Sequence, residues 1–317
     1  MGINLSSKGI KDVAVTVLGS GDLATGVAHR LYRVGFRLML TELPEPRAVR
    51  RTAAFSESIF RGSVTVEGVT AVHAALADIA AEAAATNGER WGGPAIEGKR
   101  QLDGSIPVVI DHDGTIAAAL NPEVLVDARM AKRNLGTRIT DAPVVIGLGP
   151  GFTAGVDVHA VVETARGHYL GQVIYHGRAQ EFTGVPGEVG GYTVERLLRA
   201  PMDGTLRTMA EIGSRVATGQ AVAVVAAGAE RMPIKAAIPG ILRGLLRDGA
   251  PVSKGQKIGD VDPRCDPEAV WHISDKARAV GGGVLEAIVC LLWGRPPVAP
   301  AGTSDAVGGG EVGREPK

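Results

Sequence analysis

Short apolar runs rich in β-branched residues alternate with glycine turns and amphipathic stretches over the first part of the chain. Leu23, Val27, Leu31 and Val34 share one helix face, and Gly35 closes that helix. Strand–helix alternation of this kind predicts a doubly wound, mostly parallel sheet. We therefore expect an α/β fold with a Rossmann-like domain over residues 1–142. Its predicted strands are Val13–Leu18, Phe36–Thr41, Ile106–Ile110 and Val124–Val126.

Two further features fall inside or directly after this domain. The alanine-rich stretch at residues 71–85 predicts a helix, and residues 86–105, which lack periodicity, predict a surface insertion. Residues 143–199 repeat the strand–glycine–helix pattern: Val144–Ile146 predicts a strand, Val158–Ala165 a helix and Gln172–Tyr175 another strand.

Residues 200–262 contain an internal repeat in which Gly204–Val225 aligns with Gly240–Val261 at an offset of 36 residues. Two such copies of short strands and turn glycines are similar to the barrel-sandwich hybrid of biotinyl and lipoyl domains. The linking segment Ala226–Pro233 contains no lysine, so an unmodified domain is predicted. The matched positions are Gly204/Gly240, Leu206/Leu242, Arg207/Arg243, Gly213/Gly249, Val216/Val252, Gly219/Gly255 and Gln220/Gln256.

Residues 263–294 predict a helical segment with Val284, Ile288 and Leu291 on one face, and residues 295–317 predict a disordered tail rich in Pro and Gly. Only two cysteines occur, which argues against a disulfide framework or a thiolate metal site. No apolar run approaches the roughly 20 residues that span a bilayer. Formal net charge is zero, so nucleic acid is not an expected partner. Because no apolar run is long enough to span a bilayer, a membrane is not an expected partner either, and a cytoplasmic location is expected.

The first candidate site is a G-x-G-x-x-A loop between a predicted strand and helix, formed by Gly19, Gly21 and Ala24. Gly21 would let the backbone approach a phosphate at the helix N-terminus. Glu42, about twenty residues on, would accept bonds from ribose hydroxyls. Asp22 would repel a pyrophosphate unless it turns away as a cap, and the basic cluster Arg47–Arg51 suits either an extra phosphate or a solvated face.

The second candidate is the longer loop Gly147–Gly155, with Gly149 and Gly151 flanking a proline and Thr153 offering a hydroxyl. Its successive N–H groups could wrap an anion, so Gly147, Gly149, Gly151, Thr153 and Gly155 are candidate cofactor-binding residues. A tight crossover that only needs positive φ is the alternative.

Four acidic or basic residues near these loops are weaker candidates. His159 and Glu163, four apart on the predicted helix, could run acid–base chemistry together with Asp157, although a surface ion pair explains them better. Two ligands are too few to predict a metal. Asp127 ends a predicted strand, where α/β sheets bind ligands, but the cations after it could instead be ion-pair partners. Ser274–Arg278 and Gly281–Gly283, expected before the last helix, could close a site from the far end of the chain.

Several of these stretches resemble one known family, the selenium-dependent molybdenum hydroxylase system protein YqeB. They are Gly19–Gly26, Gly147–His159, Asp262–Arg264 and Ile273–Gly283, within a resemblance over roughly residues 11–290. The resemblance implies a role in maturing the molybdenum cofactor for molybdenum hydroxylases, with a part similar to XdhC-type maturation factors. It implies no assigned catalytic residue.

We therefore expect an accessory protein that holds a nucleotide or molybdopterin-type cofactor at its glycine loops and meets a molybdenum hydroxylase or another maturation factor. Two alternatives remain open at this point. The first is an NAD(P)-dependent oxidoreductase, favoured by Glu42, and the second is a scaffold that binds no small ligand.

Overall fold

The structure is a computed structural model that describes residues 9–75, 104–112 and 114–294. Most of the predicted insertion and the whole predicted tail lie outside the described residues, as does most of the helix predicted at residues 71–85. Of the helices that the structure describes, none is both long and apolar enough to cross a bilayer.

The centre of the described chain is a nine-stranded mixed sheet in the order β3-β4-β5-β2-β1-β6-β7-β8-β9. Seven neighbouring strands, β4 to β8 in that order, run parallel, while β3 and β9 pair antiparallel at the two edges. The strands are β1 (Ala14–Leu18), β2 (Arg37–Glu42), β3 (Ser63–Val66), β4 (Val69–His73), β5 (Ile106–Ile110), β6 (Val124–Asp127), β7 (Val144–Leu148), β8 (Ala160–Val162) and β9 (Val173–Ile174). The chain builds outward from β1 in both directions, so the order of strands reverses between β1 and β6.

Two long helices cover one face of this sheet. Helix α1 (Asp22–Val34) follows β1, and α4 (Asp275–Leu292) returns from the far end of the chain to pack against it. Their apolar faces join β1, β2, β6 and β7 in one buried core. The remaining described α-helices are short: α2 (Ser58–Arg61) and α3 (Thr115–Ala119).

The repeat segment forms two antiparallel four-stranded sheets around a second core. One has the order β10-β17-β15-β12 and the other β14-β13-β11-β16, so each sheet takes strands from both copies of the repeat. The strands are β10 (Leu197–Arg199), β11 (Gly204–Thr208), β12 (Arg215–Val216), β13 (Ala221–Ala227), β14 (Glu230–Lys235), β15 (Gly240–Leu245), β16 (Pro251–Val252) and β17 (Lys257–Asp262).

The predicted fold class, a Rossmann-like parallel sheet with a barrel-sandwich hybrid, is wrong. The large sheet is mixed, and irregular segments rather than helices connect β6 to β7 and β7 to β8. The repeat segment builds two antiparallel sheets that also draw in β10, which precedes the repeat. Short apolar runs identify strands, but they do not fix strand direction at a sheet edge, and this is where the prediction failed.

Three local predictions also need correction. The stretch Val158–Ala165, predicted as a helix, contains β8, because its buried β-branched residues pair with β7. Residues 71–73 belong to β4 rather than to a helix. Gly281–Gly283, expected before the last helix, lie within α4, where Gly281 and Gly283 allow other backbone segments to approach closely.

Candidate functional site

A cleft of about 1240 Å³ lies at the carboxyl ends of the parallel strands. Leu18, Glu42 and Leu148 bring β1, β2 and β7 to its floor, and Ala128 follows directly after β6. Open α/β sheets bind ligands at this edge, where the strand order reverses. The opposite wall comes from the antiparallel sheet β10-β17-β15-β12, so the cleft lies between the two cores.

The cleft is strongly cationic although the whole chain carries no formal net charge. Ten Lys and Arg side chains line it, against five carboxylates. The cations are Arg47, Arg50, Arg129, Lys132, Arg166, Arg196, Arg199, Arg243, Lys257 and Lys276, and the carboxylates are Asp22, Glu42, Asp111, Glu181 and Asp260. A concentration of positive charge in one concave site favours an anionic ligand.

The first glycine loop has the backbone geometry that such a ligand needs. Gly19 adopts φ +92°, and its amide donates to the Thr41 carbonyl, which fixes the turn. Gly21 is the N-cap of α1, and a Cβ built there would meet no atom within 4 Å. The first-turn amides of Asp22, Leu23 and Ala24 have no intrahelical acceptor and face the cleft with the positive end of the helix dipole.

Glu42 lies at the end of β2 and lines the cleft, but the protein itself uses most of this carboxylate. Its Oε2 accepts from the Ser20 amide at 3.0 Å and the Ser20 hydroxyl at 2.7 Å, and its Oε1 accepts from the Leu43 amide at 2.8 Å. Since a carboxylate offers about four acceptor positions, little capacity is left for ribose hydroxyls. Glu42 chiefly holds the loop in place.

Asp22 does not leave an uncompensated negative charge at the helix N-terminus, because Arg50 Nη1 lies 3.5 Å from its Oδ2. Arg50 is only 6 % exposed, and its Nη2 donates to the carbonyls of Ala269 and His272. Its Nε and Nη1 have no hydrogen-bond partner among the described residues. Burial lowers the pKa of Arg50. A buried guanidinium with incompletely bonded N–H groups is costly, and the charge of an anion nearby in the cleft would offset part of that cost.

The second glycine loop is built differently. The amides of Gly149, Ala154 and Gly155 donate to the carbonyls of Val162, Gly177 and Val158. The Thr153 amide donates to the Asp157 carboxylate at 2.8 Å, and the Thr153 hydroxyl accepts from Arg178. Because the amides of Gly149, Thr153, Ala154 and Gly155 are used within the protein, the loop does not offer the run of successive free amides that the expected anion site requires.

The glycines of this loop are instead needed for close packing. A Cβ on Gly147 would collide with the Phe152 ring, and one on Gly151 would lie 2.7 Å from the Arg133 backbone. Gly149 is pressed against the side chain of Thr164. Of residues 147–155, Leu148 and Pro150 line the cleft.

Asp157, His159 and Glu163 do not form an acid–base group. His159 Nδ1 accepts from the Val145 amide at 3.0 Å, and burial lowers the pKa of His159, so the ring is a neutral partner of β7. Glu163 is buried and accepts from the amides of Thr164, Ala165 and Gln180. In the part of the chain that the structure describes, no group of three or more His, Cys, Asp and Glu side chains could hold a metal ion.

Asp127 is buried beneath the cleft and does not line it. It accepts from Arg129 through Nε and Nη2 and from the Thr137 hydroxyl at 2.7 Å. Arg129 does line the cleft, so Asp127 positions a cation there rather than contacting a ligand itself.

The cations of the opposite wall were not predicted from the sequence. Arg196, in the turn before β10, and Arg243, on β15, reach the cleft only because the antiparallel sheet faces the strand ends. A recognisable sign was present for Arg243, which interrupts the apolar strand Gly240–Leu245. Ser274 and Lys276, named in the sequence as a far-end segment, line the same cleft.

Lys276 differs from the other cations that line the cleft. Half-buried at the first turn of α4, it has no hydrogen bond or ion pair with any described residue. Burial is the main reason that the pKa of Lys276 lies below its usual range. Neighbouring Arg166 and Lys257 lower the pKa further, while Asp22 and Glu163 act in the opposite direction.

Comparison with solved structures finds likenesses with low TM-scores. The product-bound ectoine utilization protein EutE from Ruegeria pomeroyi matches with a TM-score of 0.24 and 14 % identity, over 79 % of this chain and 85 % of that one. An aspartoacylase family protein from Mesorhizobium loti matches with a TM-score of 0.25 and 11 % identity, also over 79 % and 85 %. Likeness at this level carries no functional assignment.

Comparison of sequences is more informative. No family model matches the chain. The uncharacterized protein YqeB of Escherichia coli (strain K12) is 48 % identical over 278 residues, which make up 88 % of this chain and 48 % of that protein. The chain thus spans about half the length of the curated relative it matches. With nearly half of the aligned residues identical over 88 % of its length, the chain is a homologue of YqeB across about half of that protein.

Proposed function

We propose that this chain is an accessory protein for the maturation of molybdenum-containing, selenium-dependent hydroxylases, and that it binds a phosphate-bearing nucleotide or molybdopterin-type cofactor in the cationic cleft. The observation that carries the binding part is the excess of Lys and Arg over Asp and Glu in that cleft. The maturation role rests on the sequence motifs that resemble the YqeB system.

The chemistry of the cleft fits a phosphate better than a carboxylate alone. The free first-turn amides of α1 and the open space above Gly21 admit a tetrahedral anion close to the backbone. Arg50 and Lys276 flank that position with buried or half-buried charge, which water screens less than it screens surface charge. A cleft of this size also holds more than a bare phosphate, as a nucleotide or a pterin conjugate requires.

Oxidoreductase activity with NAD(P) is less well supported. Its main residue, Glu42, already accepts three hydrogen bonds from Ser20 and Leu43. The expected partners are a molybdenum hydroxylase or another maturation factor, which would receive the cofactor from the cleft.

The proposal predicts a co-purifying ligand. Protein isolated from cells grown with molybdate should show, by native mass spectrometry, an added mass that denaturation releases. Oxidation of the released material should give pterin fluorescence if the ligand is of the molybdopterin type. A released nicotinamide dinucleotide would favour the oxidoreductase alternative instead. Protein that carries no ligand and binds neither nucleotide nor pyrophosphate when these are added would contradict the proposal.

A second prediction concerns pH and Lys276. Only the ammonium form pairs with an anion, so affinity for inorganic pyrophosphate should fall as pH rises through the lowered pKa of Lys276. Because the folded chain holds this proton less tightly than the unfolded chain does, Lys276 destabilises the free protein below its folded pKa. That cost declines as pH rises toward the usual lysine range.

Titration calorimetry from neutral to alkaline pH measures this dependence. Lys276→Met should weaken binding at neutral pH by about tenfold or more and flatten the alkaline part of the profile. Lys235→Met is the matched control, because Lys235 is exposed on β14 and does not line the cleft. An unchanged profile in Lys276→Met would remove this lysine from the site.

A further inference from the structure

The wall of the cleft opposite the glycine loop contains a second cluster of buried arginines. Arg196 is only 5 % exposed, and the Arg243 side chain is 12 % exposed. Arg196 Nη2 donates to the Gly187 carbonyl at 3.2 Å, whereas its Nε and Nη1 have no hydrogen-bond partner among the described residues. Burial lowers the pKa of Arg196; Asp260 and Asp262 oppose this effect, while Arg243 and Arg166 add to it.

The charges of this cluster do not balance. Asp260 on β17 serves both arginines, at 3.2 Å from Arg243 and 4.0 Å from Arg196. The next carboxylate, Asp262, is engaged by Arg264 through Nε and Nη2 and lies 4.0 Å from Arg243. The two buried guanidinium groups therefore rely mainly on Asp260, whose charge also acts on Arg50, and a buried charge without a full partner is unfavourable.

The free N–H groups of Arg196 point to an anionic ligand. A guanidinium binds phosphate through two parallel hydrogen bonds, from Nε with Nη2 or from Nη1 with Nη2, and Nη2 of Arg196 keeps one N–H beside its bond to Gly187. Lys257 and Arg199, from the same antiparallel sheet, line the adjoining part of the cleft. None of these four cations belongs to the glycine loop or to α1, and Arg243 lies close enough to Arg50 to lower its pKa.

We propose that Arg196 and Arg243 form a second anion subsite, and that the natural ligand carries two separate phosphate-type groups. This inference rests on the proposed function and narrows its ligand class. One anionic group lies on the α1 N-terminus with Arg50, and the other lies on the arginine pair of the antiparallel sheet. A ligand whose two anionic groups occupy both subsites links the two cores of the protein.

The repeat supplies a matched control for this subsite. Arg207 is the counterpart of Arg243 in the first copy, 36 residues earlier. It is exposed on the other antiparallel sheet, pairs with Asp248 at 3.2 Å and does not line the cleft. Arg207→Gln thus makes the same chemical change at a position outside the cleft.

The experiment is titration calorimetry of the full chain with inorganic pyrophosphate, which is small enough to occupy each subsite separately. Wild type and Arg207→Gln should bind two equivalents, while Arg243→Gln and Arg196→Gln should each bind one. Circular dichroism melting identifies a variant that fails to fold, and the two substitutions serve as independent tests. If wild type binds two equivalents and neither arginine variant loses one, or if it binds only one, the second subsite is refuted. If wild type binds none, the proposed function fails with it.

Discussion

Replacing Gly21 by leucine should abolish phosphate binding at the α1 N-terminus, leave the arginine subsite able to bind, and keep the fold unchanged. A Cβ at this position meets no atom within 4 Å, and φ is −66°, so a larger side chain introduces no strain. The leucine side chain would occupy the space in front of the first-turn amides of α1, where we place the phosphate. Loss of several charge-assisted hydrogen bonds predicts a decrease in affinity of about a hundredfold or more.

Gly21→Ser separates blockage from a change in helix capping. Serine is a preferred N-cap, whereas leucine is a poor one, at a cost of about 1 kcal/mol. Serine should therefore retain full stability and lose less affinity than leucine, which calorimetry with pyrophosphate and a urea denaturation curve would show together. Equal affinity in wild type, Gly21→Ser and Gly21→Leu would mean that no anion binds at this turn.

Gly151 would be a misleading choice for the same test. Its φ is +111°, and a Cβ there would lie within 2.8 Å of three backbone atoms of Arg133. A substitution would shift the backbone, so lost binding could not be distinguished from lost structure. The two glycine loops look alike in the sequence, yet one keeps backbone free for a ligand and the other brings two parts of the chain together.

This difference marks the limit of what the sequence could predict. Strands β1, β5 and β7, helix α1 and the placement of Glu42 at the end of β2 follow from local patterns, and the structure confirms them. Glycine spacing shows where the backbone must come close to another group, either a ligand or a part of the protein. It does not show whether that neighbour is an anion or Thr164, because either neighbour excludes a side chain equally.

The cationic wall could not be predicted for another reason. Arg196 and Arg243 are far apart in sequence and meet only through the pairing of β10 and β15 with β17. Local periodicity contains no information on such pairing. The helix predicted around His159 failed for a related reason: the short Val-rich run Val158–Val162 is compatible with a buried helix or a strand, and only pairing with β7 decided between them.

The sheet edges illustrate the same point at the level of the fold. An isolated run such as Val173–Ile174 predicts a strand but not its direction, and its antiparallel pairing with β8 makes the sheet mixed. The direction depends on the turn at Gly171, whose φ is +84° and which packs against the Ala279 backbone of α4. Ala279, more than a hundred positions away from Gly171, thus helps to determine the direction of the strand at this sheet edge.

The three consecutive glycines of α4 should respond to alanine in opposite directions. A Cβ on Gly281 would lie 2.8 Å from the Gly26 carbonyl of α1, and one on Gly283 would press against the Gly171 carbonyl and Val162. Backbone atoms cannot yield as a flexible side chain does, so Gly281→Ala and Gly283→Ala should each destabilise by about 1–3 kcal/mol. Gly282 has no atom within 4 Å of the same position, and Gly282→Ala should stabilise by about 0.5–1 kcal/mol through helix propensity.

Urea denaturation of the three variants measures whether each substitution raises or lowers the free energy of unfolding, and each variant serves as a control for the others. The contact between α1 and α4 also links stability to the site, since α1 presents Gly21 to the cleft and α4 presents Lys276. Gly281→Ala separates the two helices and should weaken pyrophosphate binding as well as the fold, whereas Gly282→Ala should leave affinity unchanged. If all three substitutions stabilised the protein equally, the close contact between these helices would not exist, and the distance from the α1 N-terminus to Lys276 would no longer be set by helix packing.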